Sequence, residues 1–194
     1  MKDIILASQS PRRKMLLEWA EVPFEVIVQY TDEKFPANLT PPEIAIYIAR
    51  NKALAVSSYV QNAFHSQLAK KTILAADTIV VLGEQIIGKP EDRDDAIRIL
   101  KSLSGKQHQV ITGVVILHGE KETAFADTTE VFFHELTDEQ IIFYVDKYEP
   151  YDKAGAYAIQ EWIGVTGIKS VTGDFYNVMG LPVSRVVQAL ASIK

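Results

Sequence analysis

The chain has 194 residues, 47% of them apolar, with no cysteine and 20 basic against 25 acidic side chains. That length and apolar fraction suffice for one large α/β domain, or two small lobes on a shared core, without disulfides. The missing cysteine excludes thiol catalysis and thiolate metal sites and fits a reducing, cytoplasmic setting. The formal charge of −5 speaks against broad nucleic-acid binding, so an anionic ligand must meet a local basic cluster. The N-terminus reads as a strand rather than a charged leader, and no apolar stretch approaches the ~18 residues of a membrane span. Neither a signal peptide nor a membrane partner is expected.

Ile4-Ile5-Leu6-Ala7 is an apolar run of the buried-strand type, and Ser8-Gln9-Ser10-Pro11-Arg12-Arg13 follows it. Ser10 suits an N-cap and Pro11 a first helical position. Met15, Leu16, Leu17 and Trp19 then give the helix an apolar face. A strand end, two hydroxyls, N–H groups at a helix start and two guanidinium forks compose a phosphate cradle. An ordinary capped helix with two solvent-facing arginines is the competing reading. Residues 24–28 alternate as a second strand. Asp32 and Glu33 come next in a polar connection, where they are solvated loop acids unless the loop folds back over the phosphate turn.

Thr40 and Glu43 have capping-box spacing. The helix after them carries Ile44, Ala45, Ile48, Ala49, Ala53 and Leu54 towards a core, with the stem of Lys52 along the buried side and its ammonium at an edge. The periodicity decays through Ser57-Ser58 into a polar stretch in which His65 is a surface residue. Thr72-Ile73-Leu74-Ala75-Ala76 is a central strand with Asp77-Thr78 at its end. Residues 79–82 and 85–87 form a hairpin that closes on Gly88-Lys89-Pro90. Asp77 either caps a turn or is a catalytic acid with the lysine-bearing turn as its cationic neighbour. Burying it without a partner costs several kcal/mol, which a functional site tolerates more readily.

Residues 92–103 form an amphipathic helix with Ala96, Ile97, Leu100 and Leu103 inward, stopped at Gly105. A long strand over 107–118 turns at Gly119 into a partner over 123–133. Thr137 and Gln140 cap another helix, with Ile141, Ile142 and Val145 inward. His108, His118 and His134 show no ligand spacing, so a zinc site is not expected. In Asp152-Lys153-Ala154-Gly155-Ala156-Tyr157-Ala158-Ile159-Gln160, small residues let backbone approach a ligand, while Lys153 and Gln160 supply a charge and an amide. Residues 177–182 turn into a terminal helix with Val183, Val186, Val187, Leu190 and Ile193 at core spacing. No repeat or linker interrupts the chain, and 1–194 reads as one unit.

Ser8-x-Ser10-Pro11-Arg12-Arg13, Asp32-Glu33, Arg50-x-Lys52-Ala53, Ala76-Asp77-Thr78, Gly88-Lys89-Pro90, Thr112-Gly113-Val114, the 152–157 stretch, Gln160 and Gly180-Leu181-Pro182 together resemble the Maf family of nucleoside triphosphate pyrophosphatases. The resemblance implies an α/β fold: a long mixed twisted sheet with flanking helices forming two lobes around a central cleft, similar to inosine triphosphate pyrophosphatase. It implies hydrolysis of a nucleoside triphosphate between the α and β phosphorus atoms, with a divalent cation, Mg²⁺ or Mn²⁺. Pro11-Arg12-Arg13, Asp77-Thr78 and Gln160 match the dTTP/UTP branch. The sister branch, acting on 7-methyl-GTP, has a tryptophan, Asp-Gln and a glutamate there. The loop between Glu33 and Glu43 and residues 60–71 depart from the family outside these motifs.

Carried onto this chain, Ser8, Ser10, Arg12, Arg13, Lys52 and Lys89 bind phosphates, and Glu33 and Asp77 hold the metal. Asp77 is also the proton acceptor, and the two roles stay open. Arg12, Thr78 and Gln160 set specificity; an amide offers the donor and acceptor that the N3–H and carbonyl of uracil or thymine require. The substrates implied are dTTP and UTP, with modified pyrimidine nucleotides beside them, in cleaning of the cytoplasmic nucleotide pool. A homodimer is left open. The alternative is a nucleotide-binding regulator of septum formation that does not hydrolyse its ligand.

Overall fold

The computed structural model describes residues 3–63 and 68–193; His65 lies outside them. The chain opens with strand β1 (Ile4–Leu6), helix α1 (Pro11–Trp19), strand β2 (Phe24–Val26) and the long helix α2 (Pro41–Ala63). Strands β3 (Thr72–Leu82) and β4 (Gln85–Ile87), helix α3 (Arg93–Leu103) and strands β5 (Gln107–His118) and β6 (Lys121–Phe133) follow. Helix α4 (Asp138–Tyr148), two 3-10 turns, helix α5 (Trp162–Gly167), strand β7 (Ile168–Thr172) and helices α6 (Phe175–Met179) and α7 (Val183–Ala191) complete the order. The architecture is α/β, as expected, with a seven-stranded mixed sheet in the order β2-β1-β3-β5-β6-β7 and β4 beside β3. β1 runs parallel to β2 and β3, while the β3–β4 and β6–β7 pairs are antiparallel. Among the described residues no helix is long and apolar enough to cross a membrane.

Contacts divide the chain into two compact units. One comprises Met1–Asp77, Thr112–Asp127 and Gly180–Lys194, the other Thr78–Ile111 and Thr128–Met179. In the first unit, Ile5, Ala7, Ile73, Ala75 and Val115 of the sheet region pack with Ala49, Ala53, Val56 and Val60 of α2 in one buried cluster. In the second, α3 packs on α4, each started by its own cap. Asp92 accepts from the Asp95 N–H at 2.8 Å. Thr137 and Gln140 form a reciprocal capping box, worth ~1 kcal/mol.

Several expectations shift in detail. α2 does not decay at Ser57 but runs to Ala63, because Val56 and Val60 extend its buried stripe. Leu54, expected inward, is 48% exposed. Trp19, read as part of the core face of α1, is exposed, and Leu16 and Leu17 carry that contact. On α3 the buried position is Ile99 rather than Ile97, and on α4 Tyr144 rather than Ile142. In α7 only Val186 is fully buried. On α3 and α4 the buried residue lies two positions from the expected one, a difference that spacing within a crowded apolar face does not resolve.

Gly113 explains its own motif. A Cβ built there would lie 2.2 Å from the carbonyl carbon of Ala45 and 2.3 Å from the amide nitrogen of Ile46, both backbone atoms of α2. Neither flexes away as a side-chain tip does. Gly113→Ala is therefore expected to destabilise the protein by ~3 kcal/mol or more, the upper range of overpacking, read as a shifted urea midpoint or as loss of soluble protein.

Candidate active site

At the start of α1 the side chain of Ser10 accepts from the Arg13 N–H, with Pro11 in the first turn, as the sequence indicated. Ser8 is buried, and its Oγ accepts twice, from the Ser10 N–H at 3.2 Å and from Arg13 Nη1 at 3.1 Å. Arg13 is not a solvent-facing arginine: its Nε donates to the Gly180 carbonyl at 2.8 Å, so the fork ties the N-terminal turn to the Gly180-Leu181-Pro182 motif. Arg12 beside it is half-buried. Burial lowers the Arg13 pKa most; Asp77 raises it, Arg12 lowers it and Glu33 raises it. An arginine stays charged regardless.

Asp77 lies in the middle of β3, not at a strand end, because the apolar run of residues 79–82 continues the same strand. The cation on it is Lys52 of α2, whose Nζ donates to Asp77 Oδ1 at 2.6 Å and to Glu33 Oε1 at 2.8 Å. The loop before α2 thus brings Glu33 back onto the Lys52 ammonium. Asp32 is different: it bonds the Lys34 N–H at 3.1 Å and pairs with the exposed Lys34 ammonium, a local surface arrangement. Side-chain exposure rises from 13% at Asp77 through 20% at Lys52 to 53% at Glu33. One ammonium therefore bridges a buried carboxylate and a solvated one. The first unit brings together seven of the expected residues: Ser8, Ser10, Arg12, Arg13, Glu33, Lys52 and Asp77.

Thr78, Lys89 and Gln160 belong to the second unit. Thr78 is half-buried on β3, and Lys89 and Gln160 are exposed. The turn carrying Lys89 is fastened to the 154–156 turn by the Gly155 N–H on the Gly88 carbonyl at 3.1 Å. Gly155 has φ +74, and a Cβ there would press on Val80 at 3.1 Å, which is why this motif keeps a glycine. Lys153 is buried, with its ammonium 2.7 Å from Asp152 and 3.6 Å from Glu161. Spacing gave no sign of Glu161 or of its partner Tyr144.

Tyr157 ends the same motif and is held by His108 of β5, Nε2 to hydroxyl 2.7 Å. Phe133 completes the aromatic group, its centroid 5.0 Å from Tyr157 and 5.3 Å from His108. Burial pushes the His108 pKa down from 6.5 to about 4 and raises that of Tyr157. His108 Nδ1 has no hydrogen-bond partner among the described residues, so charging this ring adds an uncompensated buried charge.

Residues 3–193 match the family described as Maf-like protein. A dTTP/UTP pyrophosphatase of Cytophaga hutchinsonii is 47% identical over 188 residues, covering 97% of this chain and 83% of the relative. One of Bacteroides thetaiotaomicron is 46% identical over 191 residues, covering 98% and 95%. Among solved structures, the Ham1 protein of Staphylococcus aureus shares 15% identity over 68% of this chain and 72% of that one, with a TM-score of 0.41.

The His108 pKa sets an acid limit. Above pH 6.5 the ring is neutral folded and unfolded; between 6.5 and about 4 only the unfolded chain takes the proton. Stability is therefore full above pH 6.5 and falls as the pH drops towards 4, by ~3 kcal/mol at 1.36 kcal/mol per pH unit. His108→Gln, which bonds Tyr157 without titrating, is expected to flatten that part of a urea-midpoint-against-pH curve.

Proposed function

The chain belongs to the Maf family, and from that premise we propose that it hydrolyses dTTP and UTP to the monophosphate and pyrophosphate, with residues 1–194 acting as one catalytic domain. The observation that carries the reading is the gathering around Lys52 of two carboxylates, with the Arg13 guanidinium close enough to register both electrostatically and Arg12 close enough to register on Arg13. Three cations against two carboxylates make a locally positive site on a chain of net charge −5. The names of the relatives support the substrates. The setting is the cytoplasmic nucleotide pool.

Water attacks the α-phosphorus and the bond to the bridging oxygen breaks, releasing pyrophosphate. Negative charge grows on the departing group, so the protein's work is positioning and electrostatic stabilisation. Arg12, Arg13, Lys52 and Lys89 receive the phosphates together with the hydroxyls of Ser8 and Ser10. Lys52 fixes Asp77 by Oδ1, and Oδ2 takes the proton of the attacking water. Thr78 and Gln160 read the base.

The donor set fits a hard divalent ion. Glu33 and Asp77 offer carboxylate oxygens within reach of one ammonium, and Lys52 engages one oxygen of each. Among the described residues no group of three or more His, Asp or Glu forms a full cage. Two carboxylates suit Mg²⁺ or Mn²⁺, which would complete its shell with water and substrate phosphates. Glu33 and Asp77 would hold the ion, which would supply charge neutralisation on the phosphate oxygens.

Incubation with dTTP or UTP and Mg²⁺ or Mn²⁺ is expected to release pyrophosphate, and excess chelator to abolish the release. Orthophosphate as the only product, or full activity in chelator, sinks the proposal. Asp77→Asn preserves shape and removes the proton acceptor, so substrate binding is expected to persist while kcat falls at least ~100-fold. Near-normal turnover would shift the base to Glu33.

A further inference from the structure

Gln160 is displayed by a turn whose other residues are all held down. The Glu161 N–H donates to the Ala158 carbonyl at 3.1 Å, which places Gln160 third in a four-residue turn. Ala158 and Ile159 are buried, Glu161 is half-buried and Gln160 is exposed. Three restraints fix the backbone beneath it. Tyr144, fully buried on α4, uses its hydroxyl twice, accepting from the Ala158 N–H at 3.2 Å and donating to Glu161 Oε2. The other oxygen, Glu161 Oε1, faces the buried Lys153 ammonium at 3.6 Å. Helix α5 starts directly after Glu161, and a Cβ on Gly164 would fall 1.7 Å from the Ile159 carbonyl oxygen. Tyr144 thus holds the first residue of the turn by its amide and the last by its side chain.

We infer that Tyr144 is a positioning residue for base selection: its hydroxyl sets the Ala158–Glu161 turn so that the Gln160 amide meets the pyrimidine edge in register. The inference rests on the reading of Gln160 as a base-reading side chain. Pairing a donor and an acceptor at once demands placement to within ~0.5 Å. Without the hydroxyl, the Ala158 N–H and the Glu161 carboxylate lose their shared partner, and the turn drifts while the core of α4 keeps its ring. A merely structural tyrosine would behave otherwise: its loss would lower stability or weaken every substrate alike.

The test measures kcat/KM for UTP, dTTP and GTP on the wild-type protein, Tyr144→Phe, Glu161→Gln and Gln160→Ala, with circular dichroism to show that each is folded. Tyr144→Phe is expected to lower the UTP-to-GTP ratio roughly tenfold, mainly through a raised KM for UTP and dTTP, the scale of one lost directional contact. Glu161→Gln keeps an acceptor for Tyr144 but drops the charge facing Lys153, so the ratio should fall in the same direction by less. An unchanged ratio in folded Tyr144→Phe, or equal losses on all substrates, overturns the inference. If that variant does not fold, Glu161→Gln alone decides by the same two outcomes. A wild-type protein that releases no pyrophosphate from UTP or dTTP fails the proposed function instead. An unaltered ratio in Gln160→Ala removes the base-reading premise, and the role of Tyr144 with it.

Discussion

The Asp77 carboxylate stands in the middle of an eleven-residue strand, with its side chain only 13% exposed, and a charge desolvated there needs a cation beside it. Lys52 is that cation, and the way α2 lies on the sheet brings it there. Ala49 and Ala53, flanking Lys52 on the helix, pack in the same buried cluster as Ala7 and Ala75, a contact of small side chains that lets helix and strands approach closely. Gly113 accepts the α2 backbone at Ala45 and Ile46, where any side chain would collide. Packing that looks purely structural therefore brings an ammonium to 2.6 Å from a strand carboxylate. Replacing the alanines by larger residues would move the helix out and leave Asp77 without its counterion.

The same coupling runs through the N-terminal turn. Ser8 accepts from the Ser10 amide and the Arg13 guanidinium, and Arg13 reaches the Gly180 carbonyl across a sequence separation of 167 residues. Two distant motifs are thus joined by one guanidinium whose planar fork matches two acceptors at once. A lysine has no such fork, so exchange of the two at this position is not conservative.

Much of this was legible in the sequence because it rests on short-range rules. Ser10-Pro11 and Thr137-x-x-Gln140 announce helix starts through groups that satisfy backbone donors within one turn, and both occur where expected. Long-range partners left no such trace. Asp77 could be seen to need a cation, but the nearer Lys89 turn drew attention, while the cation is supplied from α2. Strand β7 went unread because Ile168-Lys169-Ser170-Val171-Thr172 has two apolar residues and no clear period; it forms by pairing with residues 130–133 of β6. Tyr144 and Glu161 belong to the same class. A tyrosine on a helix face and an acid after a glutamine carry no signal until the fold joins them.

The turn at residues 158–161 separates what is fastened from what is shown. Its hydrogen bonds, its buried side chains and the close approach of Gly164 all spare the one exposed position, Gln160. A residue so placed is exchanged without disturbing the core, so its substitutions fall in the near-neutral range typical of surface sites, within about 0.5 kcal/mol. Glutamine becomes glutamate by a single nucleotide change. A lineage can therefore sample a new ligand edge on an unaltered scaffold, and selection sees the chemistry of that side chain with almost no penalty in folding.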